Sequence, residues 1–191
     1  MTLVTRRTGL LGFGAFALGA CASPTMTLNP DITPVAFEGG RFPLQVGLIR
    51  LNIPPRFPAG NAVPVDADFV VTIEDIAKLW PNQRLQAVGG PSQANWIIDD
   101  ASAVSRQIPE GEAIFGVMQV RLVVVDGAGN EQASGGARVE SETRISGQPS
   151  IVRRQELLHA MLIEMAAELD SQMDASMART LSAYIGQAPG F

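Results

Sequence analysis

The amino-acid sequence predicts an α+β domain, in which a mostly antiparallel sheet of about four strands has helices packed on one face. Segments that alternate between apolar and polar residues occupy the middle of the chain. A long stripe of apolar residues spaced three or four apart occupies the C-terminal part, as in an amphipathic helix. With 46% hydrophobic and 17% charged residues, the 191-residue chain is apolar enough for one core. The expected order is β-α-β-β-β-α, in a single domain covering residues 43–191.

The first predicted strand covers residues 44–53, where even and odd positions are both apolar, as in a strand buried on both faces. Two prolines end it, and residues 56–68 are a loop by composition. A short extended piece over residues 69–71 is expected to lead into the first helix.

The first helix is predicted to begin at Thr72, because Thr72 and Asp75 have the spacing of a helix N-cap. Pro81 is expected to kink or stop this helix, since proline has no N–H to donate. A further helical turn or two is expected over residues 82–88, before Gly89-Gly90-Pro91 breaks the chain.

Three strands are predicted next. The first covers residues 94–98, and the second, residues 114–125, is apolar at alternate positions. A glycine-containing turn over residues 126–130 is typical of a hairpin. One face of the returning strand is expected to be solvated, with cross-strand ion pairs; its charged residues are Arg138, Glu140, Glu142 and Arg144.

The last predicted element is a helix over residues 151–185. It would be about 50 Å long, so we expect that it breaks near residues 170–176 or that its last turns project. Its apolar stripe consists of Leu158, Leu162, Met165, Leu169, Met173, Met177, Leu181 and Tyr184. The first half is expected to pack on the sheet as core. Two interpretations stay open for the second half, which is either core or an adaptable partner-binding surface; its residues are Met173, Met177, Leu181 and Tyr184.

The N-terminal segment is basic, then apolar, then small, which is typical of a signal peptide. Arg6 and Arg7 are followed by 13 uncharged residues that include four glycines. A membrane-spanning helix needs about 20 apolar residues, so this run is too short to be one. Residues 1–20 are therefore predicted to be a cleaved signal peptide.

The residues Leu18-Gly19-Ala20-Cys21 resemble the lipobox of bacterial lipoproteins, which is a branched apolar residue, two small residues and a cysteine. In that family a diacylglyceryl group is attached to the cysteine thiol, and signal peptidase II cuts before the cysteine. The resemblance implies cleavage between Ala20 and Cys21 and lipid on Cys21. The alternative is an ordinary signal peptide or a buried helix in which Cys21 is incidental.

Two neighbouring features bear on the location. The segment around Arg6 and Arg7 resembles the twin-arginine export motif, but Gly9 stands where that motif prefers phenylalanine. The twin-arginine and general secretion routes therefore both stay open. Ala22 follows the cysteine, whereas in the best-known lipoprotein sorting rule an aspartate there retains the protein in the inner membrane. The resemblance thus implies the periplasmic face of the outer membrane, with the inner membrane as the alternative.

Residues 21–42 are predicted to be the lipidated cysteine and a flexible tether, because Ser, Thr, Pro, Gly and Asn are frequent there without a sustained period. After removal of residues 1–20 the chain holds 12 basic and 19 acidic residues, a net charge of −7. Such a chain has no electrostatic footprint for nucleic acid and gains nothing from an anionic lipid surface. The lipid is therefore expected to do the anchoring.

Few residues are candidates for chemistry. His159 is the single histidine and Cys21 the single cysteine, which excludes the usual zinc ligand sets, so we expect no metal site. No catalytic constellation stands out in the sequence, and we therefore also expect no cofactor and no enzyme. Ser134-Gly135-Gly136 is expected to be a bulge or bend rather than a nucleophile site. Paired carboxylates can serve acid/base catalysis or bind calcium. This chain has two such pairs. Asp66 and Asp68 are expected to lie in a solvated loop, and Asp99 and Asp100 are expected to lie at a solvated strand end.

The order of elements on a tethered lipoprotein is similar to that of the ABC-type transport auxiliary lipoproteins. The resemblance covers about residues 44–185 in outline and rests on architecture and the lipobox. It implies a non-catalytic accessory or assembly factor that engages an envelope protein partner or assembles with itself. Two other functions stay open, which are a carrier of a lipid or other apolar ligand between sheet and helices, and an envelope hydrolase built from scattered carboxylates.

Replacing Cys21 with serine is expected to release the protein from membranes, because serine offers no thiol for the lipid. The measurement is cell fractionation, with uncleaved precursor scored separately since a retained signal peptide can itself hold a membrane. Ala22→Ser, one residue further on, is the control and should leave the protein membrane-bound. Processed Cys21→Ser protein that still fractionates with membranes would contradict lipid anchoring.

Overall fold

The computed structural model describes residues 33–55 and 63–186 of the chain. A sheet of five strands with two helices packed against it confirms the α+β class. The elements in chain order are β1 (Phe42–Leu44), β2 (Leu48–Asn52), β3 (Val63–Pro64), α1 (Ile73–Arg84), β4 (Leu85–Ala87), β5 (Gln93–Ile108), β6 (Gly111–Val125), β7 (Glu131–Ser146) and α2 (Ile151–Thr180).

The main sheet has the order β2-β5-β6-β7, and β3 pairs with another part of β5. The β5–β6 and β6–β7 pairs are antiparallel, as predicted, whereas β2 is parallel to β5. β5 continues through Ile108, well past the predicted end at residue 98. The prediction that Asp99 and Asp100 end a strand is wrong, because a register shift between Ile98 and Asp100 accommodates them within β5.

Both helices lie on the same face of this sheet. A Cβ on Gly116, in the middle of β6, would meet Ile73 of α1 at 3.0 Å and Met165 of α2 at 3.1 Å. Only a residue without a side chain lets both helices come this close to the strand. The core lies in this layer between helices and sheet, and its largest fully buried side chains include Trp80, Trp96, Met118, Leu122, Leu158 and Leu162.

The predicted first strand, residues 44–53, is divided between two sheets. β1 pairs in parallel with β4, and β2 pairs with β5. Between them the chain passes so close to Gly90 that a Cβ on Gly47 would lie 2.9 Å from the Gly90 oxygen. The prediction of burial on both faces is wrong for β2, of which four of the five residues are exposed. β2 is the edge strand, and the helices lie mainly over β5, β6 and β7.

α1 begins as predicted. The Asp75 backbone N–H donates to Thr72 Oγ1 at 3.1 Å, and the Asp75 carboxylate accepts the Thr72 N–H at 3.1 Å. The prediction that Pro81 stops the helix is wrong, because α1 continues for three residues past it and then leads directly into β4. Proline cannot donate to the Ala77 carbonyl one turn earlier. The indole Nε1 of Trp96 donates to that oxygen instead, at 3.0 Å.

α2 is one unbroken helix of 30 residues, so the predicted break near residues 170–176 is absent. Its last turns do not project either, since Met173 and Met177 are 0% exposed. A helix of this length is about 45 Å long, and the strand β7 beneath it is about 50 Å long. The strands are longer than predicted, and for this reason the sheet supports the whole helix.

The β6–β7 hairpin has the predicted faces, with alternate residues of β6 buried and the charged residues of β7 exposed. Its turn is closed by the Asp126 N–H, which donates to the Asn130 carbonyl at 3.0 Å. Hydrogen bonds from the side chain and backbone of Asn130 lower the pKa of Asp126. The stability that this carboxylate contributes is therefore present at neutral pH and is lost as the pH falls through its lowered pKa.

Ser134-Gly135-Gly136 is not a bulge, because these residues pair in regular register with β6; the irregularity lies opposite Val124 and Val125. The glycine is needed for helix packing. A Cβ on Gly135 would lie 2.8 Å from Ser176 Oγ and 2.8 Å from Thr180 Oγ1 of α2. The small residues thus let the last turns of α2 approach the sheet closely.

Residues 33–41, which were predicted to belong to the tether, contact the domain, and we call them the strap. The Phe37 N–H donates to Gln83 Oε1 of α1 at 2.9 Å. The Thr33 carbonyl lies 2.8 Å from His159 Nε2 of α2. Val35 and Phe37 pack against the core. The predicted signal peptide and the remaining tether, residues 1–32, lie outside the described residues.

The bond from Trp96 to Ala77 predicts a measurable coupling with Pro81. Trp96→Phe removes the donor and some packing, so it is expected to destabilise the protein in the natural background. In a Pro81→Ala background the new N–H can satisfy the Ala77 carbonyl, and the cost of Trp96→Phe is expected to fall by about 1 kcal/mol. The measurement is a double-mutant cycle of denaturant unfolding. An equal cost in both backgrounds would show that the indole does not replace the missing bond.

Candidate functional site

The residues predicted to carry the lipid anchor, Ala20 and Cys21, lie outside the described residues. Lipidation of Cys21 therefore stays a prediction. Among the described helices, neither is long and apolar enough to cross a membrane.

The second half of the α2 stripe was open to two interpretations, and the structure places its side chains in the core. Met173, Met177 and Leu181 are 0% exposed, and Tyr184 is half-buried against the same core. After α2 the chain turns back, and the Gln45 N–H donates to the Tyr184 carbonyl at 2.8 Å. A partner can contact these three buried side chains only if α2 leaves the sheet.

Each of the carboxylates considered for catalysis accepts a hydrogen bond within the fold. Asp99 accepts two bonds from Arg121, at 2.6 and 2.8 Å, and this hydrogen bonding raises the pKa of Arg121. Asp66 accepts the Ala103 N–H at 3.1 Å. In the same way, Ser102 donates to Asp100 and Arg154 pairs with Asp68. No group of three or more His, Cys, Asp or Glu residues in the described ranges could hold a metal ion.

Arg84 forms a buried polar cluster that the sequence analysis missed. Its side chain is 3% exposed, its Nε donates to Asp170 at 2.8 Å, and its Nη2 donates to the two Asp174 oxygens at 2.7 and 2.9 Å. The third nitrogen, Nη1, donates to the Gly40 carbonyl of the strap. The guanidinium also lies 5.0 Å from the centre of the Phe42 ring.

This cluster joins α1, α2 and the strap. We interpret it as a structural cluster rather than a catalytic one, because its donors bond to other parts of the fold. All three guanidinium nitrogens are engaged, and Asp170 also accepts a bond from Trp80 Nε1 at 2.8 Å. No local sequence pattern predicts the Arg84 cluster, because Arg84 and Asp170 are 86 residues apart in the sequence.

The outer edge of β2 carries exposed apolar side chains, and we call it the β2 edge (Leu48–Asn52). No strand in residues 33–55 and 63–186 pairs with its outer side. Leu48 is 43% and Leu51 50% exposed. A groove of about 200 Å³ follows the edge beside α1, and its lining includes Ile49, Leu51, Lys78, Pro81, Asn82 and Trp96. Within the described ranges, the backbone groups on this side have no neighbouring strand and could pair with another one.

A second groove, of about 490 Å³, lies on the open face of the sheet at the β5–β6 turn. Arg106 stacks 5.0 Å from the centre of the Phe115 ring there. Arg144 pairs with Glu142 at 2.7 Å, and this hydrogen bond raises the pKa of Arg144. Its walls carry both signs of charge, so it selects no class of ion.

Comparison with known proteins adds little to this geometry. No protein-family model matches the chain, and no curated protein matches it. The minor lipoprotein from Acinetobacter baumannii is similar, with 11% identity, a TM-score of 0.39 and coverage of 70% of this chain and 94% of that one. Rare lipoprotein B from Shewanella oneidensis is similar at 12% identity and a TM-score of 0.35, covering 69% of this chain and 97% of that one. These solved structures are bacterial lipoproteins, but such low scores show neither a shared fold nor a shared function.

Replacing Arg84 with methionine is expected to lower the free energy of unfolding by about 3 kcal/mol, because it leaves two carboxylates without their buried partner. The matched control is Arg121→Met, which breaks a two-bond ion pair whose arginine is 50% exposed and should cost less than about 1 kcal/mol. Denaturant unfolding measures both. Equal small losses for the two variants would mean that the cluster does not hold the helix layer.

Proposed function

We propose that the protein is a lipid-anchored, non-catalytic accessory subunit of a cell-envelope complex, held at the periplasmic face of the outer membrane. The lipobox residues up to Cys21 support the anchor. The observation that supports partner binding is the β2 edge, a strand edge with exposed leucines that no strand of the described residues pairs with. We propose that a protein partner adds an extended segment there.

The chemistry of the β2 edge favours a protein strand over other ligands. Outward-facing N–H and C=O groups of an edge strand form a regular ladder only with another extended backbone. Ile49 and Leu51 lie along the adjoining groove, where they can hold alternate side chains of the added strand. Backbone bonds thus supply affinity and the groove supplies specificity.

The carrier function receives less support from the described residues. The side chains between α2 and the sheet, such as Leu158, Met165 and Met118, are at most 1% exposed and leave this interface filled. The groove beside α1 has about 200 Å³, whereas pockets for drug-sized ligands have roughly 300–1,000 Å³. This groove is therefore smaller than such pockets.

The hydrolase function also receives less support. Carboxylate catalysis needs a carboxyl group within reach of the reacting atoms, whereas Asp66, Asp68, Asp99 and Asp100 each accept a hydrogen bond from a group of the fold itself. The accessory role requires no such constellation.

Site-specific photo-crosslinking in intact cells tests the proposed partner site. A crosslinking residue in place of Leu51 is expected to give a discrete adduct with an envelope protein. The matched control is the same residue in place of Ile163, which is 44% exposed on the outer face of α2. Leu48→Lys, which adds a charge at the edge, should reduce the adduct formed from position 51.

The crosslinking result at positions 51 and 163 distinguishes three cases. Adducts from position 51 alone, reduced by Leu48→Lys, support strand addition at the β2 edge. Adducts from position 163 alone place the partner on α2, and absence of any adduct counts against an envelope partner.

A further inference from the structure

Two aliphatic side chains at the start of α2 are among the most exposed in the described part of the chain. Ile151 is 70% and Val152 50% exposed. They lie beside the β5–β6 turn, because Gly111 pairs with Ser146 and the Gly147 N–H donates to the Glu110 carbonyl at 3.0 Å. We call this part of the domain the turn end, made of residues 109–110 with Ile151 and Val152.

The strap runs toward the turn end. It begins in sequence at Thr33, beside His159, and reaches Arg84 and Asp174 by Gly40. From Gly40 back to Thr33, the strap therefore lies along α2 in the direction of the first turn of that helix. His159 is eight residues from Ile151, about 12 Å along the helix axis. The opposite end of α2 is about 32 Å from His159 on the same measure.

The predicted lipid attachment point is close to Thr33 in sequence. Cys21 precedes Thr33 by 12 residues, which span at most about 40 Å when fully extended. Of the two ends of α2, the turn end is the nearer to Thr33, at about 12 Å against about 32 Å along the helix axis.

We infer that the turn end rests on the bilayer, with Ile151 and Val152 in contact with lipid. This inference rests on the proposed lipid anchor. The occupant is a phospholipid surface rather than a protein, because the anchored chain joins the domain on the side of this end and the exposed apolar pair lies here. A partner at the β2 edge contacts the other end of the sheet, since β2 pairs with β5 from Gln93 to Ile97, far from the β5–β6 turn.

The contact is apolar rather than electrostatic. The arginines that follow the pair in α2 are ion-paired, Arg153 with Glu156 at 3.0 Å and Arg154 with Asp68 at 2.8 Å and with Glu112. The adjoining groove at the β5–β6 turn is lined by two arginines and two glutamates, whose charges balance. Aliphatic side chains gain free energy on leaving water whatever the charge of the head groups. The contact should therefore be the same on neutral and on anionic membranes.

A labelled full-length lipidated protein on floated vesicles tests this orientation. Cys21 is the single cysteine and its thiol carries the lipid, so an introduced cysteine is the one free thiol for a fluorescent label. Glu110→Cys puts the label at the turn end, and Ala128→Cys puts it in the exposed β6–β7 turn at the opposite end. Neither label replaces an apolar contact residue. Quenching by a lipid-borne quencher is measured on phosphatidylcholine vesicles with and without phosphatidylglycerol.

Quenching is expected at position 110, several-fold above that at position 128 and equal on both vesicle types. Adding Ile151→Ser and Val152→Ser to Glu110→Cys should remove most of it, and because both side chains are exposed the fold should be retained, as circular dichroism can verify. Floated protein with equal quenching at both positions overturns the orientation alone. Quenching that appears only with phosphatidylglycerol overturns the apolar contact. Protein that does not float contradicts the lipid anchor and the orientation with it.

Discussion

The bonding of Arg84 to two aspartates of α2 is the interaction on which the arrangement of the helices depends. One guanidinium connects α1, α2 and the strap, and it is 3% exposed. Burying a cation costs several kcal/mol of hydration unless its donors are matched. Here two carboxylates, a carbonyl and the Phe42 ring match it, so the three segments are held in one geometry.

The Arg84 cluster is tied to the sheet through two tryptophans. Trp80 and Trp96 stack with ring centroids 4.8 Å apart and an angle of 13° between planes. Both are 0% exposed, and both indole N–H groups have acceptors, Asp170 and the Ala77 carbonyl. A buried tryptophan without an acceptor would lose the hydrogen bond that it makes to water. The stacked tryptophans therefore fix α1 relative to β5, and the bond from Trp96 supports α1 where it contains Pro81.

The polar side chains that suggest chemistry are occupied in holding the fold together. Carboxylates pair with arginines or accept backbone N–H groups, and the single histidine meets a strap carbonyl. Two exposed apolar features of the described residues lie at the periphery of the domain. The β2 edge is available for a protein strand, and the turn end is available for lipid, at opposite ends of β5. In the function proposed above, one end of β5 faces the membrane and the other end faces the partner.

The sequence by itself determined the features that depend on neighbours along the chain. Local spacing in the sequence predicted the Thr72 cap, the alternation of β6 and β7, the Asp126 turn and the apolar stripe of α2. Together these elements predicted the α+β class. Signals of this kind need no knowledge of the partner element.

Only the tertiary structure decided the rest. Pro81 stays within α1 because Trp96 of β5 donates to the Ala77 carbonyl that proline leaves without a donor. Arg84 is buried because its partners in α2 are 86 and 90 residues away in the sequence but adjacent in the fold. The apolar pattern of residues 44–53 is the same for a central and an edge strand. β2 is exposed because the helices lie mainly over the other strands. The candidate partner edge is therefore a consequence of where the helices lie, which no local pattern records.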